Sequence, residues 1–357
     1  MPFNPPPKRI LVTRTDRIGD LVLSTPVFEA LRQKFPKAWI ACLTFVENRQ
    51  LVEGNPFLDE VILYDKKGTE KRWWENFIFA LRLARKNFDI VIHLHSTHRM
   101  HWTGWLARIP VRIGWMRKSA WTLTHAFSDH KKEGQKHEAA YNFDLLEPLG
   151  ISLPLVLKTW FPLQERDSKS LDQLLFHHEV DVHRPIFIVS PSASCPSKRW
   201  PAGSFAQVME KLFETYQPEL LVVGSKQDRS LVQQIRERTS VRFHDLTGRL
   251  SLGMLGQLLK RSALMISNDS GPVHIASAVG TPVISIFGRK QAGLSPERWR
   301  PLSENSRVLW KDAGCEVCLA HDCQIDFLCL QIISVEDVLQ AVRELRKGDR
   351  LPQPVSF

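Results

Sequence analysis

The stretch SNDSGPVHIASAVGTPVISIFG, Ser267–Gly288, constrains this chain more than any other. It predicts strand, tight turn, helix, strand. The run ALMIS that leads into it, and PVISIF near its end, are short and continuously apolar. Such strands are buried on both faces, as in parallel sheets covered by helices. Asn268, Asp269, Ser270 and Gly271 supply turn and helix-capping chemistry. Pro272 suits a first helical turn, and Gly280 is the expected helix end. A helix opening at the carboxyl end of a parallel strand presents N–H groups and a positive dipole end. The segment therefore predicts a site for phosphate.

The same alternation runs along most of the chain. RILVTRT, WIACLTF, EVILYD, DIVIHLHS and VRIGW read as strands. LVLSTPVFEALRQKF, WWENFIFALRLARKNF and HEAAYNFDLLEPLGI read as helices between or after them. Beyond the Pro- and charge-bearing LPLVLKTWFPLQERDS, the pattern restarts with PIFIVSPSAS, SFAQVMEKLFETY, ELLVVGS, RSLVQQIRERT and SLGMLGQLLKRS. Strand–helix alternation of this kind implies parallel sheets with helices on both faces. A chain of 357 residues exceeds one ordinary core. The expectation is an α/β protein of two Rossmann-like, doubly wound domains facing across a cleft. Residues 1–165 form the first and 166–335 the second. Residues 336–357 form a terminal helix and tail packing back on the first.

The net charge is +10, and residues 1–160 carry 24 Lys and Arg against 16 Asp and Glu. A basic first half implies an acidic partner such as a phosphorylated substrate or an anionic membrane surface. Six of the eleven Trp, at 73, 74, 102, 105, 115 and 121, cluster within one stretch of it. Aromatics beside Lys and Arg suit a membrane-facing surface, and a core role suits them equally. No apolar run reaches the ~18 residues of a membrane span, and the N-terminus lacks signal-peptide architecture, so a cytoplasmic location is expected. No recognition-helix, RNP or zinc-finger pattern points to nucleic acid. Cys315, Cys318, Cys323 and Cys329 are spaced C-x2-C-x4-C-x5-C, which fits either a local loop of thiols or a metal site.

Four segments carry candidate chemistry. Gly19 and Asp20 follow the first strand, at the sheet edge where open α/β sheets bind ligands. Asp20 fits a helix cap or a general base, and Arg14 and Arg17 flank it to hold it ionised or to bind an anionic substrate. Lys198 and Arg199, in a loop before Pro201, fit a pyrophosphate clamp or an ordinary charged loop. Asp228 follows a strand, where an acidic side chain takes ribose hydroxyls or caps a helix. His274, one turn into the DSG helix, faces phosphate or sits in the core.

GD-x5-P (Gly19 to Pro26), KRWP (Lys198–Pro201), LTGRLSL (Leu246–Leu252) and NDSGPVHIA (Asn268–Ala276) occur in one register. Together they resemble glycosyltransferase family 9, the heptosyltransferases of lipopolysaccharide core assembly, over about residues 8–345. The resemblance implies a GT-B fold, with acceptor bound by the N-terminal domain and a nucleotide sugar, typically ADP-heptose, by the C-terminal one. It implies inverting transfer to a phosphorylated glycolipid of lipid A–Kdo type, without cofactor or metal, at the inner face of the cytoplasmic membrane. By position, Asp20 is the general base and Lys198 neutralises the donor phosphates. Arg199, Asp228, Leu250, Asp269, Ser270, Gly271 and His274 hold the donor. Arg14, Arg17, Gly19 and His95 line the acceptor side. The sequence departs at His93, where the family commonly has Asp. The alternatives are a GT-B enzyme using another nucleotide sugar and a non-catalytic nucleotide-sugar binder.

Overall fold

The computed structural model describes residues 5–315 and 323–346. The chain divides into two compact units, Met1–Pro162 and Leu163–Phe357. In the first, six parallel strands form one sheet: β1 (Arg9–Thr13), β2 (Trp39–Phe45), β3 (Glu60–Tyr64), β4 (Ile90–His93), β5 (Val111–Trp115) and β6 (His125–Phe127), ordered 3-2-1-4-5-6. Ile10 pairs with both Ile40 and Ile90, so β1 is central. The second unit repeats this topology with β7 (Ile186–Ser190), β8 (Glu219–Val222), β9 (His244–Asp245), β10 (Leu264–Asn268), β11 (Val283–Ile286) and β12 (Ser306–Leu309), ordered 12-11-10-7-8-9. The predicted apolar runs supply the central strands because these are buried on both faces.

In each sheet the strand order reverses beside the first strand, between β1 and β4 and between β7 and β10. Loops leaving the carboxyl ends diverge at such a switch point and open a crevice. Hydrogen bonds fix the crevice walls. Thr13 Oγ1 lies 2.9 Å from His93 Nδ1, tying the end of β1 to that of β4. In the second unit Asn268 accepts from Trp200 N–H at 3.0 Å and donates to the Pro191 carbonyl at 2.6 Å.

Several elements differ from expectation. The helix predicted over LVLSTPVFEALRQKF is two, Ile18–Val22 and Thr25–Lys34. Pro26 causes the break, because it has no N–H and its ring would meet the Val22 carbonyl in a continuous helix. Thr25 Oγ1 donates to that carbonyl instead, at 2.8 Å. Helix Glu165–His177 occupies part of the segment read as a linker, with Leu171 and Leu175 buried. The terminal helix Val335–Arg346 was expected on the first unit. It buries Val338, Ala341, Val342 and Leu345 in the second unit's core, beside helix Ala202–Tyr216.

Candidate active site

In the first unit, Asp20 sits in the first turn of helix Ile18–Val22, at the switch point, with its side chain 14% exposed. It caps nothing. The N-cap is Arg17, with no side-chain capping bond, and Asp20 Oδ1 instead accepts from Arg14 Nη2 at 2.5 Å. The structure thus removes the capping reading that the sequence left open.

Arg14 pairs with Asp20, the first of its two expected roles, and departs from the second, that of a ligand-facing cation. It is 2% exposed, so it does not face a ligand from the surface. Its Nε donates to Asp16 at 2.9 Å, and its Nη1 reaches Asn142 Oδ1 at 3.1 Å and the Leu94 carbonyl at 3.3 Å. Both terminal nitrogens reach Glu138 Oε1, at 3.2 and 3.1 Å. Lys131 Nζ adds a contact of 2.7 Å to the same oxygen. The planar guanidinium has enough donors in a fixed fork to hold three carboxylates together, which an ammonium could not. Burial alone would lower its pKa, and the charges of Asp16, Asp20 and Glu138 more than reverse this. Arg17, by contrast, is exposed and remains suited to an anionic substrate. Gly19 is buried within the helix.

Three carboxylates share two cations, and Asp16 carries the imbalance. Burial, with the charges of Asp20 and Glu138, pushes its carboxyl up to about 7 against the pull of Arg14. As pH rises from about 4 to about 7, the unfolded chain releases this proton before the folded one does, so Asp16 opposes folding increasingly over that window. Asp16→Asn keeps an acceptor for Arg14. It is expected to flatten the pH dependence of stability there and to be more stable than the parent at pH 8. Urea melts across that range decide, and a lower midpoint for the variant at pH 8 would refute the imbalance.

His95 is half-buried, with Nδ1 3.0 Å from the Thr15 carbonyl. Burial and Arg14 push it down to about 4, so it is neutral at physiological pH. A carbonyl accepts only, so Nδ1 carries the proton and Nε2 offers a lone pair to a hydroxyl. At the departure position, His93 is buried behind Thr13, with its ring 5.0 Å from that of His101 and tilted by 53° to it. Burial, His101 and Arg112 hold it well below the ordinary histidine range.

In the second unit, the sequence-predicted residues Lys198 and Asp269 come together as an ion pair, with side chains 14% and 8% exposed. Lys198 ends a 3-10 turn, Pro196–Lys198, in the loop after β7. Asp269 follows β10, and its N–H donates to the Ile286 carbonyl at 2.9 Å. Ser270 is the N-cap of helix Gly271–Val279, whose first turn holds Pro272 and which ends at Gly280 with φ 83°. The strand–turn–helix geometry expected of this segment is present. Arg199 is exposed and donates to the Ala193 carbonyl at 3.3 and 3.2 Å, folding the loop back on itself. Gly224 lets the loop after β8 approach, since a Cβ there would lie 2.6 Å from Ser192 Oγ. That hydroxyl and Ser190 Oγ are buried with no hydrogen-bond partner among the described residues, which leaves donors for a ligand.

Asp228 uses Oδ2 locally, accepting from Ser225 N–H at 2.8 Å and Ser225 Oγ at 2.6 Å. Leu250 is half-buried just before helix Leu252–Arg261, and His274 is buried in its helix. Arg289, which the sequence reading passed over, reaches Ser197 Oγ at 3.0 Å and Cys195 Sγ at 2.6 Å. Its signal was a cation at the carboxyl end of β11, one strand from the DSG turn. Of the cysteine cluster, Cys318 lies outside the described residues. Phe327 N–H donates to Cys323 Sγ at 3.2 Å. Among the described residues no group of three or more His, Cys, Asp or Glu is placed to hold a metal ion.

Known proteins resemble the chain over nearly all of its length. The chain is 28% identical over 350 residues to lipopolysaccharide heptosyltransferase 3 of Escherichia coli K12, covering 93% of this chain and 96% of that one. A glycosyltransferase family 9 structure from Veillonella parvula matches with TM-score 0.84 and 26% identity, covering 96% and 98% of the chains. The structure of E. coli ADP-heptose lps heptosyltransferase II matches with TM-score 0.79 and 21% identity, covering 96% and 99%, a likeness of fold. These folds are GT-B, as expected of paired Rossmann-like units. The model of glycosyltransferase family 9 (heptosyltransferase) matches residues 77–328, and the chain belongs to that family.

Proposed function

We propose that this protein transfers heptose from ADP-heptose to a lipopolysaccharide core acceptor, with inversion at the anomeric carbon. The observation that carries this reading is Asp20. It is a carboxylate at the carboxyl edge of the first sheet, spared from capping and oriented through one oxygen by a buried arginine. Oδ2 takes the acceptor hydroxyl proton as that oxygen bonds to the anomeric carbon. The bond to the donor phosphate breaks and its electron pair leaves with ADP. Arg17 and His95 Nε2 bind the acceptor. Lys198, Ser270, Gly271 and the N–H groups opening helix Gly271–Val279 meet the developing diphosphate charge, a preorganised electrostatic role that requires no metal. Asp269 aims Lys198, Leu250 covers the adenine, and Asp228 takes the ribose.

ADP release from ADP-heptose in the presence of a lipid A–Kdo acceptor tests the reading. Turnover in excess EDTA is expected to match that without it. No release from ADP-heptose, with release from another nucleotide sugar, would reassign the donor. Lys198→Ala is expected to weaken ADP binding about 10- to 100-fold by calorimetry, the loss of one charge-assisted contact. Unchanged affinity would take Lys198 out of the donor site. No helix among the described residues is long and apolar enough to cross a membrane. Work on a lipid-borne acceptor then requires peripheral contact with the anionic cytoplasmic leaflet.

A further inference from the structure

Helix Trp73–Ala84 buries Asn76, Phe79, Ala80 and Leu83 and turns its other apolar residues outward. Trp73 is 78% exposed, and Trp74, Phe77, Ile78 and Leu81 are exposed as well. Helix His98–Leu106 lies beside it. Phe79 and Leu83 of one and Met100, with Ala107 beyond the end of the other, enter the same core cluster on one face of the sheet. Thr103 Oγ1 donates to Asn76 Oδ1 across the seam at 3.2 Å. The outward sides of the two helices therefore form one surface. It continues through Trp102, Trp105 and Trp121, all exposed, whose rings meet edge to face at 5.4–6.1 Å.

An apolar surface of this extent on a folded chain marks an interaction site. Charge selects the partner. Residues 71–86 hold five Lys and Arg and one acid, Glu75, and residues 98–121 hold five and no acid; Arg82, Lys86 and Arg117 pair with Glu70, Glu60 and Asp129, and Lys71, Arg72, Arg85, Arg108 and Lys118 are exposed. Arg72 stacks over Trp74 at 5.0 Å, presenting a cation and an indole together. Like charge disfavours a second copy of this surface. An anionic bilayer offers both an interface for indole rings and phosphates for the cations.

We propose that this two-helix face of the first unit docks on an anionic lipid bilayer, with the Trp rings at headgroup depth and the flanking Lys and Arg on lipid phosphates. This rests on the membrane-peripheral reading above and gives it a surface. The geometry resembles an interfacial amphipathic helix, except that the polar side of each helix is replaced by the protein core. The basic excess of the first half thus acquires a location.

Sedimentation of the full chain with vesicles tests it. Binding is expected to phosphatidylcholine containing about one-third phosphatidylglycerol, to weaken with salt, and to be minimal on phosphatidylcholine alone. Trp73→Ser/Trp74→Ser and Lys71→Gln/Arg85→Gln change exposed side chains and should leave melting unchanged. The charge variant is expected to lose about fivefold in affinity per cation removed. Both variants should keep parental turnover on a water-soluble acceptor fragment, so a failed donor assignment and a failed surface give different results. Parental vesicle binding by both variants would overturn the proposal. So would equal binding to neutral vesicles, or a dimer that the Trp variant abolishes in place of vesicle binding.

Discussion

Transfer by an Asp20→Asn variant is expected to be slower by about 10²–10⁴-fold, with the fold intact. The argument is local. Asparagine has the same shape and still offers Oδ1 to Arg14 Nη2, so the contact at 2.5 Å keeps an acceptor. What disappears is an oxygen able to accept a proton as the acceptor hydroxyl attacks. The loss should fall on kcat, with ADP affinity unchanged, because the proposed donor contacts belong to the other unit. Asp16 provides the control. It shares Arg14 with Asp20 and has a raised pKa, so a base at that position is chemically conceivable. Asp16→Asn is nevertheless expected to retain transfer, because its partner contact survives and Asp20 is untouched. Slow transfer by Asp16→Asn beside normal transfer by Asp20→Asn would move the base to Asp16.

The parts of this protein legible in its sequence are those written in contiguous residues. ILVT, IVI, IFIVS and LMIS are central parallel strands, and no other element explains apolar runs so short and so continuous. The edge strands β6, β9 and β12 passed unread, being two to four residues long and mixed in polarity. Helix His98–Leu106 was hidden for a different reason. Its aromatic residues at 102 and 105 face outward, so the apolar period gave no clean inner stripe.

The site divides in the same way. The DSG turn and its helix could be read directly, since cap, proline and terminal glycine lie within one segment. The pairing of Lys198 with Asp269 could not, because 71 positions separate two residues each chosen for a separate role. The acceptor-side reading of Arg14 failed because a cation beside a ligand loop looks the same whether it faces substrate or core. Glu138, 124 positions away, decides the matter, and nothing in HEAAYNFD signals that its first-turn glutamate reaches β1.

That buried arginine gives the second large effect. Arg14→Met should destabilise the first unit by about 3–5 kcal/mol, because it removes one side of a buried ionic network and strands the other. Glu138, 1% exposed, would lose Arg14 and keep its contact with Lys131, and Asp16 and Asp20 would lose their contacts at 2.9 and 2.5 Å. For a unit of this size the melting transition is expected to fall by roughly 10 °C in calorimetry. Arg14→Lys should rescue little, since one ammonium cannot span three carboxylates in the guanidinium's geometry. The decisive comparison is the double variant Arg14→Met/Glu138→Gln. If stranded charge is the cause, neutralising Glu138 should restore part of the lost stability, a coupling of about 1–3 kcal/mol. If Arg14 contributes only packing, the two losses will add. Transfer should track orientation more than stability: at a temperature where Arg14→Met remains folded, Asp20 has no fixed partner, and kcat should stay low in the double variant even as its melting point recovers.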